Sequence, residues 1–347
     1  MSTLVCPTPI ATHDRVQLGH GSGGKMSAAL LNERFLPHFT NAVLAQLGDA
    51  AVVDVSGQRV AISTDTFVVN PLEFPGGNIG SLAVHGTVND LAMMGARPLY
   101  LSAGFVLEEG LPFDVLDRVV CSMGQAARGA GVTLVTGDTK VVERGKADGV
   151  FINTTGIGVV TPDFAPAPAR ARPGDAILVS GPIGRHGIAI MTAREGIAFE
   201  AEIESDSAAL SPLVDRLRTA VGPDVHTLRD PTRGGVASAL NEIATAARIG
   251  IVLDERHIPI PTAVAAACEM LGFDPLYVAN EGVLIAFVPA RLADAALAAL
   301  RKHPLGREAA AIGRVVDAHP GMVVLETAIG GTRVVDMLPG DQLPRIC

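Results

Sequence analysis

The chain has 347 residues, 27 basic against 36 acidic for a formal net charge of −9, no tryptophan and two tyrosines. Its scattered Lys and Arg make no basic stripe for phosphate backbones, and so few aromatics offer no base-stacking platform, which argues against a nucleic-acid surface. Hydrophobic residues make up 48% of the chain, enough for two ordinary cores, yet charges, Gly or Pro break every apolar stretch before it reaches bilayer length, so no membrane span is expected.

Met1 to His13 has no basic start followed by an apolar run, so no secretory signal is expected and the reducing cytoplasm is the expected compartment. Residues 1–40 read as a glycine-rich N-terminal segment. Within it Gly19-His20-Gly21-Ser22-Gly23-Gly24-Lys25 is a loop opening into a helix from Met26, and its free amides and lysine suit an anion such as a triphosphate. It is not a Walker A loop, because Met26 stands where Ser or Thr is needed, and a glycine run alone is equally a loop with no ligand.

Residues 41–162 alternate β-branched runs (Val52 to Val55, Arg59 to Ser63, Val132 to Thr136, Val150 to Val159) with helical stretches at Asn78 to Met94 and Phe113 to Ala130. From Thr161 to Asp175 four prolines interrupt regular structure, which places an inter-domain linker at 163–175. Residues 176–336 repeat the pattern, with strands near Ala176 to Ser180, Gly250 to Leu253, Val283 to Val288 and Ala310 to Val316. The helices expected there are Gly187 to Arg194, Ser211 to Val221, Gly234 to Ala247, Thr262 to Leu271 and Ala290 to Arg301. Residues 337–347 are Pro-containing and polar, an extended, mobile tail carrying Cys347. The prediction is α/β (α+β): two domains, each a mixed sheet with helices on one face.

Acidic residues recur just after apolar runs in the first half, in Gly48-Asp49-Ala50, Ser63-Thr64-Asp65, Val88-Asn89-Asp90 and Thr136-Gly137-Asp138. One carboxylate at a strand end is ordinarily a solvated cap. Four converging on a cleft are what Mg²⁺ needs when it carries a nucleotide, since the hard cation bridges carboxylate and phosphate oxygens. Gly137 beside Asp138 would let a phosphate approach the backbone. With the glycine loop, this points to ATP bound outside the P-loop class.

The four cysteines (Cys6, Cys121, Cys268, Cys347) form no CxxC pair and have no close His, so local spacing builds neither a zinc site nor a redox dithiol. Cys347 does not sit four from the end of this sequence with aliphatic residues after it, so prenylation is not expected. Its position reads either as an accidental terminal residue or as a tethered thiol able to travel between sites. The adjacent α-carboxylate opposes thiolate formation and Arg345 favours it.

These stretches resemble the HypE family of hydrogenase maturation factors, the carbamoyl dehydratases. The resemblance is carried by Gly21-Ser22-Gly23-Gly24, Ser63-Thr64-Asp65, Phe74-Pro75-Gly76-Gly77-Asn78-Ile79-Gly80, Thr87-Val88-Asn89-Asp90, Leu107-Glu108-Glu109-Gly110-Leu111-Pro112, and Val135-Thr136-Gly137-Asp138-Thr139-Lys140-Val141-Val142. It continues in Phe151-Ile152-Asn153-Thr154, Arg229-Asp230-Pro231-Thr232-Arg233-Gly234-Gly235, Ala279-Asn280-Glu281-Gly282 and Pro344-Arg345-Ile346-Cys347. The acidic and Gly-Asp elements are shared with a wider ATP-binding superfamily that includes aminoimidazole ribonucleotide synthetase, selenophosphate synthetase and thiamine-phosphate kinase. Only the terminal Pro-Arg-Ile-Cys singles out HypE.

The resemblance implies that a carbamoyltransferase, HypF, loads Cys347 with a carbamoyl group, and that this protein dehydrates it with ATP to an S-cyanated cysteine. The cyano group would then pass to iron on the HypC–HypD complex for a nickel–iron hydrogenase. Carried over by motif, Asp65, Asp90 and Asp138 are the expected Mg²⁺ ligands, with Asp49 a fourth candidate and Asn89 an orienting amide. Gly137, Thr139 and Lys25 join the nucleotide site, and Asp230 and Arg233 contact phosphate or the incoming tail, or form a structural ion pair. Lys140 and Glu281 would manage the carbamoyl nitrogen's protons, against a phosphate counter-charge for Lys140 and a turn for Glu281. A homodimer through the first domains is also implied. Arg185 stands where an acidic residue is common, Asn70 where Asp is common, and His85 where some relatives carry cysteine; packing is the default for His85. Two other readings remain: an ATP-dependent small-molecule kinase or synthetase with an incidental tail, and a non-enzymatic carrier whose thiol ferries a ligand.

Overall fold

The structure, a computed structural model, describes residues 14–39, 41–197, 202–340, 343 and 345–347. A short helix α1 (Lys25–Leu30) precedes the hairpin of β1 (Ala51–Val55) and β2 (Gln58–Phe67). A small ribbon, β3 (Glu73–Phe74) with β4 (Gly77–Asn78), leads into α2 (Ile79–Met93). Asn78 caps α2 by accepting from the Gly80 and Ser81 amides at 2.9 and 3.1 Å, which satisfies two of the helix's orphan donors. The first domain continues through β5 (Ala96–Glu108), α3 (Phe113–Gly129), β6 (Thr133–Val142) and β7 (Val150–Val160).

The first sheet runs β1-β2-β7-β5-β6, antiparallel except for β5 beside β6. Period-2 alternation divides its faces: Ala61, Ser63 and Phe67 are buried toward α2, whereas Ile62, Thr64 and Thr66 face outward. The long strand β5 was not expected, because Pro98 and Gly104 disguise it. Pro98 pairs only with Gly158 at a bulge, before β6 joins the other side at Tyr100, so its missing N–H costs the sheet nothing there.

The second domain comprises β8 (Asp175–Val179), α4 (Arg185–Glu195), α5 (Ser211–Val221), β9 (Thr227–Arg229), α6 (Gly235–Ala247), β10 (Gly250–Asp254) and α7 (Thr262–Leu271). It ends with β11 (Ile285–Pro289), α8 (Ala293–Arg301), β12 (Ala310–Val316), β13 (Val323–Glu326) and β14 (Thr332–Val334). The sheet order is β14-β13-β10-β12-β8-β11-β9. Along β8, Ile177 and Val179 pack with Val236, Leu240 and Ile243 of α6, while Leu178 packs with Leu213 and Leu217 of α5 and Leu297 of α8. The mixed α/β character holds, but helices cover both faces of this sheet rather than one. Its strands accordingly read as continuous apolar runs.

A third core joins the domains and the chain's end: Phe67, Val69, Phe74 and Leu82 are continuous with Ile188 and Ile190 of α4, Val264 of α7, and Leu343 and Ile346. The expected free tail is therefore docked, with Ile346 2% exposed. No helix among the described residues is long and apolar enough to cross a membrane.

Candidate active site

Asp49 lies two residues before β1, Asp90 lies in the fourth turn of α2, and Asp230 directly follows β9. The fold brings one carboxylate oxygen from each within 4.8 Å of the others. Ser63 Oγ lies 2.5 Å from Asp90 Oδ2, and Arg229 bridges Asp49 Oδ1 and Glu242 Oε2 at 2.5 Å each. Asp230 Oδ2 is buried with no hydrogen-bond partner among the described residues. Burial and mutual repulsion push the group upward: Asp90 well above the usual carboxylate range, Asp49 to about 8 against the pull of Arg229, and Asp230 to about 6. Burial raises Asp65 as well, opposed by Arg233. Three hard-oxygen donors with one orphaned atom fit a divalent cation such as Mg²⁺.

Glu281 faces the same region. It is 2% exposed, and Oε1 has no partner among the described residues. Burial first, then Asp230, Asp65 and Asp206, hold its carboxyl well above the usual range. Its turn is fixed from both sides. Its amide donates to Asp206 Oδ1 at 3.0 Å, and Asn280 Nδ2 donates to the Pro231 carbonyl at 2.9 Å. Glu281 is thus a buried acid locked beside Asp230, not a solvated turn residue.

A cavity of about 220 Å³ opens alongside, lined by the glycine loop (Gly21, Ser22, Gly24), Thr66, Arg233, Gly234 and Cys347. The loop's glycines are required by close approach: a Cβ at Gly24 would meet the Leu338 carbonyl oxygen at 2.5 Å, and one at Gly23 the Arg233 carbonyl oxygen at 2.8 Å. Arg233 Nη1 donates to the Gly21 carbonyl at 3.0 Å. The charge of Arg233 is favoured first by Cys347, then by Asp65 and Glu281, so one cation stands between the terminal residue and the acidic group. Lys25 turns away to Asp336 at 2.5 Å.

The sequence-predicted set divides. Asp49, Asp65, Asp90, Asp230, Arg233, Glu281 and Cys347 come together. Asp138, Thr139 and Lys140 do not join them within one chain. Asp138 is paired across the sheet with Gly104, itself opposite Asn153, which is opposite Thr66. That row is three strand spacings, about 14 Å at ~4.8 Å each. It lies on the open face, whereas Asp65 points to the α2 side; Asp138 is exposed and bonded to Lys140 Nζ at 2.5 Å and the Thr139 amide at 2.8 Å. Gly137 has a structural cause, since a Cβ there would lie 2.3 Å from the Ala103 carbonyl oxygen. Asn89 is fully engaged with backbone: Oδ1 accepts from the Leu210 amide at 2.8 Å, and Nδ2 lies 3.0 and 3.3 Å from the Ala208 and Glu281 carbonyls. It clamps the second domain rather than orienting a ligand.

Arg229, Asp206 and His186 were missed. Arg229 adjoins Asp230 in a quoted motif, which was the available signal; Asp206 and His186 reach the site only through folding. His85 bonds Ser207 Oγ at 3.0 Å, and burial lowers its pKa to about 4, a packing role. Asn70 donates its amide to the Arg345 carbonyl at 3.4 Å, and Arg185 lines a separate groove.

Comparison with known proteins adds the following. Residues 47–160 match the N-terminal domain and 172–325 the C-terminal domain of AIR synthase related proteins. The chain is 58% identical over 334 residues to the carbamoyl dehydratase HypE of Cupriavidus necator, covering 96% of this chain and 95% of that one. Its fold superposes on a HypE solved in complex with HypF (TM-score 0.85, 45% identity, 89% of this chain and 100% of that chain). It also superposes on a HypE solved with ATP (TM-score 0.81, 54% identity, 96% and 100%).

Proposed function

The chain belongs to the HypE family of carbamoyl dehydratases, and from that premise we propose how its residues divide the ATP-dependent dehydration of an S-carbamoyl group on Cys347. The observation that carries this assignment is the cavity shared by Cys347, Arg233 and the glycine loop, beside the acidic group. A carbamoyl oxygen is a poor leaving group. ATP removes that obstacle: the oxygen attacks the γ-phosphorus and ADP leaves. The C–O bond then breaks with phosphate, and loss of two nitrogen protons leaves the nitrile on sulfur.

The glycine-loop amides and Arg233 hold phosphate oxygens in the cavity. Asp49, Asp90 and Asp230, with Asp65 adjoining, are the residues that would hold Mg²⁺, which when bound neutralises phosphate charge. Glu281 is the proton acceptor, a buried carboxyl coupled to the same Arg233 that adjoins Cys347. Burial first, then repulsion from Asp230 and Asp65, keeps it protonated; the repulsive part would ease when a bound cation offsets those charges, which favours the proton-accepting form.

Asp138 and Lys140 enter from a second copy of the chain. The open face of the first sheet exposes Ile62, Tyr100 and Ile157, and its edge strand β6 exposes Val135 and Val141, an apolar surface suited to self-association. Such a homodimer would carry both residues to the neighbouring site. The carbamoyl donor is the transferase HypF, the acceptor of the cyano group is the HypC–HypD complex with its iron as cargo, and a reducing cytoplasm keeps Cys347 a thiol.

Intact mass after incubation with the carbamoyltransferase, carbamoyl phosphate, Mg²⁺ and ATP tests the reading. A carbamoyl adduct on Cys347 that loses water only with ATP is expected. An unmodified tail, or water loss independent of ATP, would overturn it.

A further inference from the structure

The end of the chain pairs with the backbone of residues 68–70, Arg345 turning through the left-handed region (φ 54°): the Val68 amide donates to the Cys347 carbonyl at 3.0 Å and the Asn70 amide to that of Arg345 at 3.4 Å. Backbone pairing of this kind does not choose a register. Burial of Ile346, 2% exposed, does, and two side chains of α4 hold the paired backbone there. His186 Nε2 bonds the Ile346 carbonyl at 3.0 Å; Arg194 Nη2 donates to the Arg345 carbonyl at 2.7 Å while its Nε donates to the Asn70 carbonyl at 2.8 Å. The ring of His186 has little freedom. It is fully buried, its Nδ1 lies 2.8 Å from Ser205 Oγ, and it meets the Phe74 ring edge to face at 5.7 Å. A carbonyl only accepts, so Nε2 carries the proton and, in the neutral ring, Nδ1 accepts from the Ser205 hydroxyl.

We propose that His186 and Arg194 are positioning residues: a latch from the second domain that holds the carbonyls of residues 346 and 345 and so, with Ile346 seated in the core, keeps Cys347 at the cavity. The physical need is entropic. Ordering a chain end costs backbone freedom at every residue, and the two pairing bonds with residues 68–70 do not by themselves prevent fraying. A slip of one residue would bring Ile346 out of the core and drive Arg345 into it, which the latch opposes. Both residues act on the backbone of the tail, so neither touches the carbamoyl group. This inference rests on the dehydratase reading for its catalytic consequence and on geometry alone for the latch.

The test uses the full chain and H186L, H186Q and R194M. Alkylation of Cys347 by iodoacetamide, read by mass spectrometry against the exposed Cys121, reports tail release without ATP. Single-turnover water loss from carbamoylated protein reports presentation to the site. H186L and R194M are expected to raise the Cys347-to-Cys121 labelling ratio about tenfold and to slow water loss similarly, the effect of losing one ordinary hydrogen bond. H186Q, which keeps an N–H donor, recovers most of the protection. A wild-type labelling ratio in folded H186L sinks the latch, and R194M, altered at the half-buried end of α4, decides the matter where H186L does not fold. Absence of ATP-dependent water loss in the wild type would overturn the dehydratase reading instead, while the labelling ratio still judges the latch.

Discussion

Arg229, at the end of β9 in the second domain, closes on Asp49 of the first: Nη1 to Oδ1 at 2.5 Å, with Nη2 on Glu242 at the same distance. One guanidinium is thus the counter-charge of a carboxylate group assembled from both domains.

Removing it leaves Asp49 buried against Asp90 and Asp230. R229M should therefore lower stability by about 3–5 kcal/mol in metal-free buffer at pH 8, the cost of orphaning a buried charge. Urea unfolding with EDTA measures this. Added Mg²⁺ should recover part of the loss, and an unchanged midpoint would refute the counter-charge role.

The same carboxylates make stability depend on pH. An acid whose folded pKa is raised keeps its proton in the native state after the unfolded chain has released it, so its contribution is lost as pH rises toward the folded value. Asp206 and Asp230 lose theirs between about 4 and 6, where His85 and His186, lowered to about 4 by burial, oppose the trend. Above pH 6.5 only the acids remain, with Asp49 at about 8. In EDTA the melting temperature should fall from pH 6.5 to 8.5, and Mg²⁺ should flatten the slope. A rise over that range would contradict the assignment.

Glu281 offers a separate check, because E281Q removes the proton acceptor while keeping its volume. Water loss from carbamoylated protein should slow at least about 100-fold, with carbamoyl loading of Cys347 unaffected and stability at pH 8 equal or higher. Unimpaired dehydration would move the proton to another group.

Asp138 tests the shared site. D138N and D90N should each be inactive alone, yet mixing the two proteins and allowing exchange should restore activity in the fraction of heterodimers that hold one intact site. No recovery after verified exchange would place Asp138 outside the chemistry.

Particular residues show how far the sequence was legible. Helices α2, α3, α5, α6 and α7 were marked by local signals such as Asn78 before α2 and the Val119, Met123 and Ala127 spacing of α3. Strand β5 escaped because Pro98 and Gly104 read as breakers, and only the bulged partner strand shows why they are tolerated. Asp138 matched a motif, but its face depends on the registry of four strands.

Composition, the motifs around Asp49, Asp65, Asp90 and Asp138, and the terminal Pro-Arg-Ile-Cys determined the α/β class, the family and the acidic and thiol chemistry, because each is a property of neighbours along the chain. Tertiary structure alone decided that Asp230 joins Asp49 and Asp90, that Asp138 does not, and that Cys347 is held at the cavity by His186. Those are contacts between residues far apart in sequence, set by sheet registry and by a core that closes over both domains and the tail.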